Sequence, residues 1–546
     1  MPRDVRAELA ELIVLSRAAG ADPDQVQGGG GNTSVKSADG RSMWVKASGT
    51  ALVDMDAGRG WAELDLTAAV AVLDEPGLAA LPVREREERV LARLQAAVRA
   101  PRGARPSVES SLHALLDRVV IHTHPVHLIA FLCARDSRAS WRALLGGLAD
   151  EALYVPYVDP GFGLARALRD EIAAHRQERG RRPRIILLEN HGLMAAAGSV
   201  EECLALHERV VALGKRWAGG RRVNPVRFER LRADPRSGDA EYPICAGDAT
   251  AFASVDRPEA GRRDAASAAR FAHARVRGAL LRGGARPTLV REDDSPTAIE
   301  LLREEVALRS LAAGGAFTPD QICYCATWPL VLEGSSERWG EAVRGWRELH
   351  GLDPRVVLAP GLGVFHAAPD LAGLRVVAET HRLAMHAALR TPRAGGPRFL
   401  DRSQAGFIEE WEVERYRSGL VQGAEAPLRG RIALLLGDDP PRLEAARAAL
   451  EGAGAVVVDA GVPMQVVLAS FGGLDHVVTA GATHERPPPA ALELLREQGA
   501  GGRAVLLDGP AGSLPLPEAL ERSEALTGSE ARSPAVPPRP GRSRGA

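Results

Sequence analysis

The sequence predicts an α/β protein made of three successive α/β regions. Short apolar runs typical of strands alternate with longer runs of helical periodicity along most of the chain. At 546 residues the chain is also too long for a single hydrophobic core. Stretches rich in Gly, Pro and charged residues interrupt the alternation, and we place domain boundaries there.

The first region covers residues 1–220. The strings "MWVKAS", "RVVIHTH" and "RIILLEN" predict strands, and "SVEECLALHERVVALGKRW" predicts an amphipathic helix that closes the region. Residues 221–264 lose this periodicity and collect Gly, Pro, Arg and Asp, which is typical of a linker.

The second region covers residues 265–426. "RVVLAPGLGVF" predicts a buried strand that enters a Gly-rich turn, and "GFIEEWEVERYRSG" predicts a helix rich in acids. We interpret "QICYCATW" as a strand. Cys323 and Cys325 are not expected to bind a metal, because no second cysteine pair accompanies them.

The third region covers residues 427–520 and alternates strand, helix and strand through "GRIALLLG", "GAVVVDAG" and "DHVVTAGA". Residues 521–546 hold too few apolar side chains to offset the entropy of ordering, so we expect a disordered tail. No repeat with a period of twenty to fifty residues is visible.

Charge and cysteine content narrow the classes of function. Lys+Arg 69 against Asp+Glu 70 gives no electrostatic reason to expect nucleic acid or a membrane surface as a partner, so we expect a small ligand. The five cysteines are scattered and odd in number, which does not resemble a disulfide framework and favours the cytoplasm. No segment approaches an uncharged membrane span.

Candidate metal ligands stand at the ends of two predicted strands. His122 and His124 are two positions apart, so on a strand they project to the same side. A lone pair of this kind at a strand end is more often not a metal site. Here "LLENHG" offers His191 from another strand end, and three imidazoles with an open fourth position match a catalytic zinc site.

Two further features support a site at these strand ends. Glu109 lies on a polar segment before a short predicted helix, where a carboxylate can act as a base. The Gly-rich turns "GGGGNTSVKS" and "KASGTAL" offer backbone and side-chain donors to an oxyanion or phosphate. Each turn alone is more often a plain hairpin, but the combination favours a site.

Taken in order, "GGGGNTSVK", "VKASG", "PSVESSLH", "VVIHTHPVH" and "LLENHG" resemble the class II aldolase/adducin family over about residues 1–220. The resemblance implies an α/β/α domain, a homo-oligomer and a divalent metal, usually Zn²⁺, held by His122, His124 and His191. It implies Glu109 as the catalytic acid/base. It also implies a phosphate or oxyanion pocket made by Gly31, Asn32, Ser48, Gly49 and Ser107.

The implied reaction is cleavage of a ketose 1-phosphate, of the rhamnulose 1-phosphate type, to dihydroxyacetone phosphate and an aldehyde through a metal-stabilised enediolate. Two positions depart from the family pattern. Val108 stands where a second serine is usual, and Trp141 is the only aromatic residue where sugar aldolases of this family carry a tyrosine acid. For Tyr154 and Tyr157 we expect packing at a strand edge, so the proton donor to the aldehyde is unassigned.

The rest of the chain resembles bacterial proteins that fuse such an aldolase to a short-chain dehydrogenase, on "FTPDQICYCATWPLVLEG", "VVLAPGLGVF", "GFIEEWEVERYR" and "RGRIALLLG". The dehydrogenase part departs from its motif. After Gly437, Pro441 and Leu443 replace the other two glycines of the dinucleotide turn, and the Tyr-x-x-x-Lys pair is missing. We therefore expect a shortened, catalytically inactive Rossmann-like remnant without NAD(P), although Asp459 is placed to meet a ribose.

Two alternatives remain open. The same superfamily includes epimerases and decarboxylases, which would keep the site and change the reaction. Adducin-type relatives keep the fold without the metal histidines and act as scaffolds, and the presence of the three histidines and Glu109 argues against that interpretation.

Overall fold

The computed structural model describes residues 7–219, 271–411, 426–459, 461–480, 489–498 and 503–507. The predicted linker 221–264 and tail 521–546 lie outside these residues. The chain divides into two compact units, the first formed by Met1–Ala260 with Glu292–Ala424, the second by Gly261–Arg291 with Glu425–Ala546. We call residues 7–219 the first lobe and residues 292–411 the second lobe of the first unit.

The first lobe is built on an eight-stranded sheet of order β4-β3-β2-β1-β5-β8-β7-β6, in which only β6 and β7 are parallel neighbours. Its strands are β1 (Asn32–Lys36), β2 (Ser42–Lys46), β3 (Trp61–Asp65), β4 (Val98–Ala100), β5 (Val119–Thr123), β6 (Ala152–Val155), β7 (Ile185–Leu188) and β8 (Gly192–Ala197). Its helices are α1 (Ala7–Gly20), α2 (Leu66–Ala71), α3 (Val83–Ala96), α4 (Ser110–Leu115), α5 (Val126–Leu132), α6 (Ser137–Leu145), α7 (Phe162–Arg179) and α8 (Val200–Gly219).

Alternation along the strands creates a hydrophobic core on each face of this sheet. On β5, Val119 and Ile121 join the core that packs against α1, α5 and α8, whereas Val120 joins the core formed with α2, α3, α4 and α7. The first lobe is therefore an α/β/α sandwich, which confirms the predicted class.

The second lobe follows β9 (Leu289–Glu292), the strand at which the chain passes from the second unit to the first. β10 (Leu330–Val331) is parallel to β11 (Val356–Ala359), which forms an antiparallel hairpin with β12 (Gly363–Ala368). The helices of this part are α10 (Pro296–Arg303), α11 (Glu305–Gly314), α12 (Pro319–Cys325), α13 (Trp339–His350), α14 (Leu371–Arg390) and α15 (Arg402–Glu410), while α9 (Ala272–Arg282) precedes β9.

The prediction of a strand at "QICYCATW" was wrong, because residues 321–325 of this segment belong to helix α12. The Thr318 side chain accepts a hydrogen bond from the amide of Gln321, and Pro319 occupies the first turn. A threonine cap followed by proline is a strong helix start and outweighs the strand preference of Ile322 and Tyr324. Cys323 and Cys325 are both buried on this helix.

The second unit contains a parallel sheet of order β14-β13-β15-β16, which is consistent with the predicted Rossmann-like region. Its elements are β13 (Ile432–Leu436), α16 (Pro440–Gly452), β14 (Val456–Asp459), α17 (Met464–Phe471), β15 (His476–Ala480), α18 (Pro489–Gln498) and β16 (Arg503–Leu507). A single helix, α17, connects β14 to β15.

Helix α9 belongs to this second unit, whereas the sequence placed residues 265–426 in one region. Helix α9 is held in the second unit by the fully buried guanidinium of Arg277. Arg277 donates to Asp475 at 2.6 and 3.2 Å, to the Thr288 carbonyl at 2.6 Å and to the Gly430 carbonyl at 3.1 Å. A charge this deeply buried needs such partners, so α9 is fixed beside the C-terminal sheet.

Candidate metal centre

His122 and His124 lie at the end of β5, where the strand gives way to α5. Pro125 is the residue before the first turn of α5 and ends the strand. Both imidazoles are buried, and their Nε2 atoms are 3.1 Å apart. The two side chains thus project to the same side, as their spacing predicts.

His191 comes from the tight turn between β7 and β8. Asn190 adopts a left-handed backbone conformation with φ 53°, a region in which asparagine is enriched. The His191 ring centroid lies 5.0 Å from that of His122 and 5.5 Å from that of His124. One ligand nitrogen from each of the three imidazoles lies within 4.8 Å of the others, a spacing suited to one metal ion.

Hydrogen bonds on the far side of two rings aim Nε2 at the common centre. Nδ1 of His122 donates to the Leu193 carbonyl at 3.0 Å, and Nδ1 of His124 donates to Oδ2 of Asp320 at 2.6 Å. Nδ1 of His191 is buried with no partner among the described residues. The two contacts select the tautomer whose Nε2 lone pair can bind a metal.

Burial keeps at least one of these rings neutral. It lowers the pKa of His122 to about 3, with Glu109 opposing the shift and the neighbouring imidazoles adding to it. A neutral imidazole is the form that coordinates a cation. The donor set therefore fits a divalent metal.

Glu109 faces this centre from the N-terminus of α4. Its Oε1 lies 3.2 Å from Nε2 of His191 and 3.6 Å from Nε2 of His122. The Ser107 hydroxyl accepts a hydrogen bond from the Glu109 amide at 3.3 Å and fixes the turn. Burial alone would raise the pKa of Glu109, but the imidazoles outweigh it and lower the pKa, so the carboxylate is ionised at neutral pH.

A pocket opens beside the centre, and four of the five predicted oxyanion residues line it, namely Gly31, Ser48, Gly49 and Ser107. The fifth, Asn32, lies on β1 directly across from His122. Its side-chain Nδ2 is buried without a partner among the described residues. Val108 also lines the pocket, where a second serine would have added a donor.

Lys46 also lines the pocket, although it was not among the residues predicted to form the site. Its buried Nζ donates to the carbonyls of Gly29 at 2.7 Å and Gly31 at 3.2 Å. The Lys46 side chain adds a nitrogen donor to a pocket otherwise supplied with backbone N–H groups and hydroxyls. The available signal was that Lys46 is one of only three lysines in the chain and immediately precedes "ASG".

Tyr154 has a partner away from the pocket. This tyrosine lies on β6 at the sheet edge, where its hydroxyl donates to Oε1 of Glu189 at 2.9 Å and contacts the Ser137 hydroxyl at 2.8 Å. Trp141 stacks on its ring at 6.3 Å. Within the described residues no tyrosine lines the pocket beside Glu109.

The turn after β13 differs from a dinucleotide-binding turn. Asp439 caps α16 by accepting a hydrogen bond from the Arg442 amide at 3.3 Å, and Pro440 and Pro441 begin the helix. The helix N-terminus therefore holds a carboxylate and two residues without N–H. Asp459, at the end of β14, forms an ion pair with Arg447.

The first lobe matches a known protein family. Residues 10–216 match the family described as "Class II Aldolase and Adducin N-terminal domain". An uncharacterized oxidoreductase of Bacillus subtilis (strain 168), YuxG, is 24% identical over 484 residues, which is 82% of this chain. The chain spans 64% of the length of that relative.

Solved structures also resemble this chain. The N-terminal class II aldolase domain of a conserved Thermoplasma acidophilum protein is 27% identical, covers 40% of this chain and 96% of its own, and has a TM-score of 0.33. The L-fuculose-1-phosphate aldolase of Thermus thermophilus is 18% identical, covers 39% of this chain and 94% of its own, and has a TM-score of 0.24.

Proposed function

We propose that the chain is a metal-dependent aldolase that cleaves a ketose 1-phosphate. The starting point is the match of residues 10–216 to the class II aldolase and adducin N-terminal domain family. The observation that carries the proposal is the convergence of His122, His124 and His191 beside the Glu109 carboxylate. A divalent metal held there, Zn²⁺ in our proposal, would supply Lewis acidity towards the carbonyl and hydroxyl oxygens of the sugar.

Glu109 is the residue that we assign to proton transfer. It is ionised and partly buried, and it lies within hydrogen-bonding reach of the space in front of the imidazoles. A carboxylate in this position can remove or return a proton on the carbon chain of a bound sugar. The proton donor to the leaving aldehyde stays unassigned.

The pocket donors give the substrate its orientation. The turns that carry Ser48 and Ser107 are tied together by hydrogen bonds from the Ser48 amide to the Arg105 carbonyl, at 2.9 Å, and from the Ser107 amide to the Lys46 carbonyl, at 3.3 Å. A rigid pair of turns holds an anionic group at a fixed distance from the imidazoles. This supports a phosphorylated substrate.

The decisive experiment combines metal content with turnover. Wild type, His122→Ala and His127→Ala are compared by mass spectrometry of bound metals and by coupled assay of dihydroxyacetone phosphate released from rhamnulose 1-phosphate and fuculose 1-phosphate. We expect about one metal per chain and turnover in wild type, loss of both in His122→Ala, and little change in His127→Ala, a nearby histidine outside the cluster.

Other outcomes separate the competing functions. A bound metal with no cleavage of either sugar would favour an epimerase or decarboxylase that uses the same ligands. No metal in any of the three proteins would mean that the histidines end a strand without coordinating, and the scaffold hypothesis would then replace the enzyme.

We also propose that the second unit of this chain does not bind a nicotinamide cofactor. The phosphates of a dinucleotide need free backbone N–H groups at the helix N-terminus after the first strand. The Asp439 carboxylate and the two prolines that begin α16 work against that contact.

A further inference from the structure

The two lobes of the first unit contain the same hairpin. In the hairpin of β7 and β8, Ile185 pairs with Ala195, and in the hairpin of β11 and β12, Val356 pairs with His366. Each residue of the second pair lies 171 positions after its equivalent in the first pair. The helices that follow the hairpins, α8 and α14, are both 20 residues long, and their first residues are also 171 positions apart. Spacing and register are thus identical in both copies.

The elements before the hairpin recur in the same order. β5, α5, α6, β6 and α7 of the first lobe correspond to β9, α10, α11, β10 and α13. In both copies the strand before the hairpin is parallel to its first strand. The amide of Asp293 donates to the Val364 carbonyl at 2.8 Å, so the chain leaving β9 runs beside β12 as β5 runs beside β8.

Glycines at equivalent places identify the counterpart of a metal ligand. A Cβ atom built on Gly192 would lie 2.9 Å from Cε1 of His122. A Cβ atom built on Gly363, the equivalent glycine, would lie 3.0 Å from Oε1 of Glu292. Glu292 therefore occupies, in the second lobe, the place that His122 occupies in the first.

The second lobe lacks the other two imidazoles as well. His124 lies two positions after His122, so its counterpart lies two positions after Glu292 and is Asp294, which is exposed. Leu362, just before Gly363, replaces His191. The second lobe is thus a copy whose three ligand positions hold two carboxylates and an apolar side chain.

The copy has gained a helix that the original lacks. Between α6 and β6 the first lobe has a single 3₁₀ segment, Gly146–Glu151, whereas between α11 and β10 the second lobe has the whole of α12. Asp320, in the first turn of α12, accepts the hydrogen bond from Nδ1 of His124 at 2.6 Å. Asp320 is 4% exposed, so the contact is shielded from water.

The second lobe also holds the turn that carries His191. The Asn190 side-chain amide donates to the carbonyls of Phe317, at 2.9 Å, and Arg398, at 2.8 Å. The Arg398 guanidinium donates to Oε1 of Glu189 at 3.1 Å. Two of the three imidazoles thus depend on the second lobe for their position.

We infer that the second lobe is a degenerate internal copy of residues 119–219 that has lost its own ligand set and now positions the ligands of the first lobe, with Asp320 as the positioning residue for His124. The inference rests on the proposed metal site. A carboxylate that accepts a hydrogen bond from a coordinating imidazole fixes the ring and raises the basicity of its metal-binding nitrogen.

The test uses Co²⁺ binding to the metal-free full chain, followed by visible absorption, with folding checked by circular dichroism. We expect wild type to bind one Co²⁺ with a resolved absorption band. Asp320→Asn should bind about 10- to 100-fold more weakly with a shifted band, and Asp320→Glu should recover most of the affinity. Asp294→Asn, at the equivalent of His124, should match wild type.

The outcomes separate this inference from the proposed function. If wild type binds no Co²⁺, the metal site itself is refuted. If wild type binds Co²⁺ and Asp320→Asn gives the same affinity and band, the positioning role is refuted while the metal site stands. If Asp320→Asn does not fold, Asp320→Ala decides, since it leaves Nδ1 of His124 without its carboxylate acceptor, and an unchanged affinity and band would overturn the inference.

Discussion

Oε1 of Glu109 lies 3.2 Å from Nε2 of His191, so the proposed base and a proposed ligand meet at one point although α4 and the β7–β8 turn are far apart in sequence. Ionised and facing the imidazoles, Glu109 is placed to act on whatever binds in front of them.

Glu109→Gln should abolish turnover while leaving the metal in place. The amide keeps the size of the side chain but cannot accept a proton, so kcat should fall by about 10²- to 10⁴-fold. Bound metal, measured on the same preparation, should stay near one per chain. Turnover close to that of wild type would remove Glu109 from the mechanism.

Gly192→Ala should damage the histidine cluster without any change of ligand. An added Cβ would lie 2.7 Å from the Thr123 carbonyl oxygen and 2.9 Å from ring atoms of His122 and His124. We expect at least tenfold weaker Co²⁺ binding, together with a loss of about 1–3 kcal/mol in the free energy of unfolding. Gly147→Ala is the control, because nothing lies within 4 Å of its Cβ.

Lys36 should make the first lobe more stable as pH rises from about 7 to 10.5. Burial lowers the pKa of this lysine from 10.5 to about 7, with the Asp117 charge opposing the shift. Between these values the unfolded chain binds a proton that the folded chain does not, so the free energy of unfolding should rise by up to about 1.4 kcal/mol per pH unit.

Lys36→Met tests this dependence by removing the titrating group. Denaturant unfolding of both proteins at several pH values gives the difference between their slopes. Equal slopes for wild type and variant between pH 7 and 10.5 would show that Lys36 is charged in the folded state. The ammonium would then be held by the carbonyls of His113 and Asp117, to which it donates.

Tyr154→Phe should lower stability but not turnover. The hydroxyl donates to Glu189, which also accepts from the Tyr157 amide at 2.9 Å and from Arg398. Losing one of these bonds should cost about 1 kcal/mol in chemical denaturation. A fall in kcat beyond tenfold, with normal folding, would instead identify Tyr154 as the missing proton donor.

NAD and NADP should not bind to this chain with micromolar affinity. Calorimetric titration of each cofactor into the full chain measures this directly. Heat of binding with a micromolar Kd would contradict the proposal that the turn at Gly437 is unsuited to a pyrophosphate. Gly437→Ala would then show whether that turn is the site, since Gly437 has a φ of 151°.

Sequence periodicity predicts those features of the candidate site that depend on residues close together in the chain. The common side of His122 and His124 follows from strand alternation, and the place of His191 follows from the apolar run Ile185–Leu188, which ends just before it. Asp320 was out of reach, because it lies 196 positions after His124 and only the packing of two lobes joins them.

The proposed internal copy could not be predicted from the sequence for a related reason. Its 171-residue separation is far longer than the periods of solenoid repeats. The equivalent segments "RIILLENHGLMAAA" and "RVVLAPGLGVFHAA" are identical at five of fourteen positions, and their common strand register is the stronger signal. Hairpin pairing and helix length become visible only when hydrogen bonds are known. The residues of "QICYCATW" on their own predict a strand, whereas the Thr318–Pro319 start that precedes them favours the helix α12 that forms.

The contact between Asn190 and the Arg398 carbonyl has a consequence for synthesis. The two residues are 208 positions apart, and a ribosome adding about 5–20 residues per second needs about 10–40 s to cover that distance. Throughout that interval the turn with His191 emerges without its anchor. If the cluster binds a metal as proposed, the turn with His191 would be held in place only once the second lobe exists, so correct metal loading would follow translation of that lobe.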